Sequence, residues 1–272
     1  MEDADLAEAR ATLRRWDAER WRTTLFARGS AHARLTVLYA FNVEIARVRE
    51  TVSEPILGDI RLQWWREALA EIAAGGPLRR HPLVSAVAAA GLDPDALGQL
   101  VDARERDLDD AAFPDLAALE AYAAATSGGL SVAAFRACGV ADADAAARAV
   151  GTAYGLAGLL RALPHFARRR RNVLPADLVA AAGLTFEAIH EGKAGAALGR
   201  AVESVSRRAR EHLARIGRVP KAARAAALPA TLARLWLDRL AAHGHDAFAP
   251  ALQAPRPGDI WRLTFANLLG RF

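Results

Sequence analysis

The chain has 272 residues, a formal net charge of +5 and a hydrophobic fraction of 53%, which fits one large or two small globular domains. Its single cysteine, Cys138, excludes an internal disulfide, and an apolar stretch at residues 149–160 is shorter than a bilayer span of about 20 residues. The single cysteine and the acidic start of the sequence, residues 1–5, lead us to expect a cytoplasmic protein. No basic stripe, zinc-finger or RNP-like motif is present, so we expect no nucleic-acid binding.

Alanine and leucine dominate the chain, and apolar residues recur at helical spacing, which predicts helices throughout and no strands. In chain order, helices are predicted at residues 4–20, 31–51, 59–72, 82–90, 93–110, 116–126, 128–138, 142–163, 176–192, 194–216, 221–242 and from 259 onward. Asp59 is expected to cap the third helix, and Pro164 to end the long helix at 142–163. The pattern predicts a single all-α domain over residues 1–272.

The second predicted helix contains a recognisable motif. Residues 39–50 read Tyr-Ala-Phe-Asn-Val-Glu-Ile-Ala-Arg-Val-Arg-Glu. This stretch resembles the first motif helix of the squalene/phytoene synthase family, whose active members condense or rearrange prenyl diphosphates. The opening Tyr-Ala-Phe matches that motif, but Ala46 and Arg47 stand where the family has paired aspartates. Glu50 alone keeps an acid, at the third position.

The helix predicted at 142–163 carries the second motif, with Gly-Leu-Ala-Gly-Leu-Leu-Arg-Ala-Leu-Pro-His-Phe at residues 155–166. Its Leu-Leu-Arg resembles the family sequence, whereas Ala162 replaces the first aspartate and His165 and Phe166 replace a Glu-Asp pair. In active members these acids hold Mg²⁺, which draws off the diphosphate. Their loss implies a catalytically silent protein without a metal or cofactor.

The resemblance implies an isoprenoid-synthase-type helical bundle around a central cavity. The matching positions supply candidate ligand contacts in that vestigial cavity: Tyr39, Phe41, Arg47, Glu50, Gly155, Gly158 and Arg161. No catalytic and no metal-binding residue is predicted.

Three further segments resemble a branch of the family that acts in assembly of respiratory complex I and also lacks the acidic motifs. They are residues 50–55, 61–66 and 160–165, the last followed by a basic run and Leu174-Pro175. The resemblance implies a function in complex I assembly through a protein partner, either a subunit of the complex or an assembly intermediate.

Two alternatives stay open at this point. The first is an active prenyl-diphosphate transferase or terpene synthase with an unusual Mg²⁺ site around Glu44, Glu50 and Glu54. The second is a carrier that holds an isoprenoid or another lipid in the cavity. Turnover of prenyl diphosphates would identify the first, and a co-purifying ligand would identify the second.

Gly151, Gly155 and Gly158 fall near one face of the second motif helix. Small residues on one face either keep a cavity wall open for an apolar ligand or let two backbones approach closely. We favour close packing.

The basic run Arg168, Arg169, Arg170 and Arg171 is the densest charge in the chain. It fits either a surface for anions or an acidic partner, or a solvated loop. Both interpretations stay open.

At the end of the chain Trp261, Phe265, Leu268 and Phe272 form one helical stripe. We expect the stripe to pack on the domain, and the alternative is contact with a membrane surface. A peripheral position at the inner membrane is therefore the second localisation we consider.

Overall fold

A computed structural model describes residues 3–253 and 258–272, which form an all-α fold without strands in those ranges. The α-helices are α1 (Asp3–Trp16), α2 (Ala18–Thr24), α3 (Ser30–Ala46), α4 (Val48–Thr51), α5 (Pro55–Ala74), α6 (Pro82–Ala90), α7 (Pro94–Ala103), α8 (Leu116–Ala123), α9 (Gly129–Ala137), α10 (Asp144–Arg161), α11 (Leu163–Arg168), α12 (Ala176–Ala181), α13 (Phe186–His190), α14 (Gly195–Ala214), α15 (Arg224–Ala242) and α16 (Asp259–Leu269). A π-helical turn, Ala124–Gly128, joins α8 to α9, and short 3₁₀ turns lie at Glu105–Leu108, Lys221–Ala223 and Pro250–Gln253. None of the described helices is long and apolar enough to cross a membrane.

Two predicted helices are each divided in the structure. The helix predicted at 4–20 breaks at Asp17, whose side chain accepts the backbone N–H of Arg20 at 3.0 Å and so caps α2. The helix predicted at 31–51 breaks at Arg47, whose guanidinium stacks on the ring of Trp16 at 3.3 Å. Both breaks therefore lie at the same place, where the end of α1 meets the end of α3.

Prolines begin helices at two places where we expected an end or a later start. α5 begins at Pro55, so Asp59 lies inside the helix and the predicted cap there is wrong. The long helix ends at Arg161, and Pro164 lies in the first turn of α11 instead of marking a stop. Proline is tolerated in a first turn because the N–H that it lacks would have no helical partner there.

The core surrounds α3 and α10, the two helices that carry the motifs. α3 is buried along most of its length, and α10 packs against α8, α9, α14, α15 and the π-helical turn. Thr152 and Leu156 of α10 are both fully buried. The motif helices are thus packed into the core, and side chains toward their C-terminal ends line the candidate site.

The last helix packs on α15 through Leu263 and Ala266, and its apolar stripe points the other way. Trp261, Phe265 and Leu268 are 66%, 59% and 68% exposed. Our expectation that the stripe packs on the domain is therefore wrong for these three side chains. It holds for Phe272, which is buried.

Candidate functional site

Two neighbouring pockets lie where the ends of the motif helices meet the segment around residues 104–122, with volumes of about 230 Å³ and 260 Å³. Four side chains line both of them: Arg104, Tyr122, Leu159 and Phe166. The two pockets are therefore neighbouring parts of one site, divided by these side chains.

The first pocket holds the one acid that survives from the family motifs. Glu50 lines its rim, and its Oε1 lies 3.5 Å from Nε2 of His165. Glu44 and Glu54, which the enzyme alternative places beside Glu50, line neither pocket. The three glutamates do not form a metal site.

The second pocket contains a buried arginine from α2. Arg20 donates to Asp17 at 2.8 Å, and its guanidinium lies 4.6 Å from the ring centre of Tyr154 and 5.6 Å from that of Tyr39. Burial opposes the charge of Arg20, but the Asp17 carboxylate outweighs it and raises the arginine pKa. Arg20 therefore stays charged between two aromatic rings.

Arg161 of the second motif pairs with a residue near the start of the sequence. Its guanidinium contacts the carboxylate of Glu19, which also accepts the Tyr154 hydroxyl at 2.9 Å. Burial alone would raise the pKa of Glu19, but the charge of Arg161 and these hydrogen bonds prevail and lower it. This ion pair joins α2 to the end of α10.

A third arginine, Arg104, stands between the pockets. It donates to Asp107 at 3.3 Å, to the Tyr122 hydroxyl at 3.1 Å and to Oδ1 of Asn42 at 3.2 Å. The Tyr122 hydroxyl in turn donates to Asp107 at 2.5 Å. Burial, and next the Asp107 charge, raise the pKa of Tyr122, which therefore stays a neutral donor.

Each of these three arginines thus has a carboxylate partner of its own: Asp17 for Arg20, Asp107 for Arg104 and Glu19 for Arg161. Within residues 3–253 and 258–272, no group of three or more His, Cys, Asp or Glu side chains could hold a metal ion. A Mg²⁺ cluster needs carboxylates that are free to coordinate it, and guanidinium groups already engage these. The residues present do not fit a catalytic metal.

The predicted ligand contacts separate into two groups. Glu50 lines the first pocket, and Gly155, Gly158 and Arg161 line the second. Three other predicted contacts line neither pocket. Tyr39 and Phe41 are fully buried in the core, and Arg47 stacks on Trp16, which itself lines the second pocket. The prediction for these three is corrected, because their part of α3 packs into the protein interior on one side and against the end of α1 on the other.

Several site residues were not singled out from the sequence as contacts, namely Asp17, Glu19, Arg20, Asn42 and Arg104. Asp17 and Arg20 had a usable signal, since an Asp three residues before an Arg fits a helix cap with an ion pair. For Glu19 no local signal exists, because its partner Arg161 is 142 residues away.

The three glycines of α10 divide between the two interpretations of a small-residue face. A Cβ on Gly151 would lie 2.0 Å from the backbone oxygen of Ser127, and one on Gly155 would lie 2.9 Å from the Ser127 Cβ. Close packing against the π-helical turn thus explains both. A Cβ on Gly158 would meet nothing within 4 Å, so this glycine faces the open second pocket.

The basic run forms a separate surface beside the first pocket. Arg169, Arg170 and Arg171 line a shallow hollow of about 510 Å³ together with Arg49, Glu50 and Asp110. Arg170 pairs with Glu187 at 2.5 Å, and Arg171 donates to the backbone oxygen of Asp107 at 3.1 Å. Arg168 and Arg169 are exposed and have no ion-pair partner in the described part of the chain.

Comparisons with known proteins agree with this architecture. A model of the squalene/phytoene synthase family matches residues 13–261. The chain is 30% identical over 250 residues to "NADH dehydrogenase (ubiquinone) complex I, assembly factor 6" of Mus musculus, covering 89% of this chain and 75% of the relative. The protein of the same name from Homo sapiens is 30% identical, with the same coverage.

Two solved structures show the same fold at low sequence identity. The squalene synthase HpnC from Alicyclobacillus acidocaldarius superposes with a TM-score of 0.78 at 18% identity, covering 90% of this chain and 96% of that one. A dehydrosqualene synthase in complex with ligand superposes with a TM-score of 0.82 at 15% identity, covering 98% and 96%. The predicted all-α, isoprenoid-synthase-type fold is confirmed.

Proposed function

The chain belongs to the squalene/phytoene synthase family, and we propose that it is a catalytically silent member that acts in the assembly of respiratory complex I by binding a protein partner. The observation that carries the proposal is the pairing of the site's acids with Arg20, Arg104 and Arg161. Similarity to complex I assembly factor 6 over 89% of the chain supports the biological role.

The chemistry of the site supports catalytic silence. Ionising a prenyl diphosphate requires metal ions that neutralise the departing diphosphate, and Mg²⁺ is bound by carboxylate oxygens. Here Glu50 of the first pocket lies beside His165, and Asp17, Glu19 and Asp107 each pair with an arginine. A metal would have to displace these arginines before it could bind.

The partner surface in this proposal is the basic run with Arg49, beside the first pocket. Within this surface Arg168 and Arg169 have no ion-pair partner among the described residues, and such arginines attract acidic groups and speed association with them. The proposed partner is therefore an acidic surface of a complex I subunit or assembly intermediate, met in the cytoplasm or at the inner face of the membrane.

Deleting the gene and measuring NADH:quinone oxidoreductase activity and assembled complex I in membranes tests the role. We expect both to fall, and the wild-type gene to restore them. Arg168→Gln/Arg169→Gln should restore them only in part, because it removes surface charge without touching the pockets. Arg215→Gln/Arg218→Gln should restore them fully, because it removes two exposed arginines that do not line the hollow beside the first pocket. Unchanged complex I after deletion would refute the assembly role.

The enzyme alternative is tested separately with purified protein, C15 and C20 prenyl diphosphates and Mg²⁺. We expect no turnover. Turnover that disappears in Glu50→Ala would replace our proposal with a transferase function. The carrier alternative stays a prediction, and native mass spectrometry of the purified chain would detect a retained isoprenoid or lipid.

A further inference from the structure

The outward face of α16 differs from that of an ordinary surface helix, because it is apolar. A helix on a protein surface ordinarily turns its apolar side inward and its polar side to water. In α16 the inward positions are Leu263 and Ala266, but the outward positions are also apolar. Trp261 lies about 160° from Leu263 around the helix axis, so its ring points almost directly away from the domain.

The exposed apolar side chains of this helix form a continuous face. They are Trp261, Phe265, Leu268 and Leu269 on the outward side, with Ile260 at its flank. We call this set the α16 face. In a helix about 16 Å long, five such side chains leave only Thr264 and Arg262 as polar residues among the outward positions. Isolated exposed apolar side chains are common, but a continuous face of this kind marks an interaction site.

Charge beside the face indicates what covers it. Arg262 and Arg271 are exposed, and neither has an ion-pair partner within residues 3–253 and 258–272. The one acid of the helix, Asp259, lies at its first residue, and the whole chain carries a net charge of +5. Free arginines beside the apolar face complement an anionic surface.

The residue types of the face fit a lipid surface. The face is the outer side of one helix, and its residues line neither of the two site pockets nor the hollow beside the basic run. Tryptophan, phenylalanine and leucine on such a face enter the boundary between headgroups and acyl chains, while arginines stay at the phosphates.

We propose that the α16 face binds the surface of an anionic lipid bilayer and holds the domain there as a peripheral protein. This inference rests on the membrane position considered under the proposed function, but not on the assembly role. Its test uses only purified protein and lipid, so either idea can fail without the other.

The test is co-sedimentation of the full chain with vesicles of phosphatidylcholine and phosphatidylglycerol, and with phosphatidylcholine alone. We expect binding to the anionic vesicles. Trp261→Ser/Phe265→Ser/Leu268→Ser should weaken it by at least about tenfold, since these side chains carry the apolar contact. Arg262→Gln should weaken binding about fivefold, and this loss should be smaller at high salt, which screens the charge.

A matched control is available on α5. Ile56, Leu57 and Ile60 of α5 are exposed to a similar degree, at 58%, 45% and 60%. Ile56→Ser/Leu57→Ser/Ile60→Ser should leave vesicle binding within about twofold, because general apolar exposure is not what binds lipid in our proposal.

Three results would overturn the inference. They are absence of wild-type binding to anionic vesicles, equal losses in the α16 and α5 variants, and a wild-type dimer in sedimentation velocity that the α16 variant converts to monomer. The last result would assign the face to a second copy of the chain. Far-ultraviolet circular dichroism of each variant checks that the fold is intact.

Discussion

Arginines inside the candidate site and arginines on the neighbouring loop have the same chemistry but opposite surroundings. Arg20 and Arg104 are largely buried and each is bound to a carboxylate. Arg168 and Arg169 lie in water without such a partner in the described residues. The buried guanidiniums hold the site together, whereas those on the loop remain free to meet another molecule. Arginine content alone therefore does not indicate where a protein binds its partner.

The largest effect expected from this comparison is on stability. Arg20→Met removes the charge that faces Asp17 and should lower the free energy of unfolding by about 3 kcal/mol, because a buried carboxylate loses its partner. Arg169→Gln should change it by less than about 0.5 kcal/mol, since its side chain is exposed. Urea unfolding followed by circular dichroism measures both. Equal effects would show that the inner arginine is not structural.

A pair of alanine substitutions in α10 sharpens the description of the inner region. Gly151→Ala should destabilise the protein by about 2 kcal/mol, since its Cβ would overlap the Ser127 backbone. Gly158→Ala should stabilise it by about 0.5 kcal/mol, because the space is open and alanine favours helix. Thermal unfolding of the two variants is the measurement. A destabilised Gly158→Ala would mean that the second pocket is filled.

The smallest effect is a pH dependence at the ion pair between Glu19 and Arg161. The pKa of Glu19 is lowered in the folded state, so its contribution is full above the unfolded value of about 4.3 and is lost as the pH falls through the folded pKa. Glu19→Gln should therefore cost about 1 kcal/mol at pH 7.

The difference between wild type and Glu19→Gln should shrink as the pH falls below about 4.3, because the wild-type carboxylate then becomes protonated. Urea titrations at several pH values follow that difference. A difference that stays constant down to acid pH would contradict the ion pair as its source.

Helix content followed from the sequence because apolar spacing is a local property. The break at Arg47 did not, since Arg47 stacks on Trp16 of another helix, whereas the break at Asp17 had a local signal in its side-chain cap that the prediction did not use. Pro164 shows a related limit. A proline can follow the end of one helix or lie in the first turn of the next. Here α10 already ends at Arg161, so Pro164 lies in the first turn of α11.

For the site, the sequence revealed that the metal-binding acids are absent, but not which ion pairs form there in their place. The loss at Ala46 and Ala162 is visible in the motifs. The pairing of Glu19 with Arg161 joins residues 142 positions apart, so no local periodicity predicts it. The burial of Phe41 was missed for a similar reason, because a motif position does not specify which way a side chain points.

The attachment of α16 has a consequence for how this surface can change. Arg224 donates to the main-chain oxygens of Asn267 and Leu268 at 3.0 Å and 2.7 Å, and Arg234 contacts that of Phe272. Main-chain oxygens are present whatever side chain a position carries. Substitutions on the outward side of α16 can therefore change what the helix binds without weakening these hydrogen bonds. The helix stays attached to α15 while its outer surface varies.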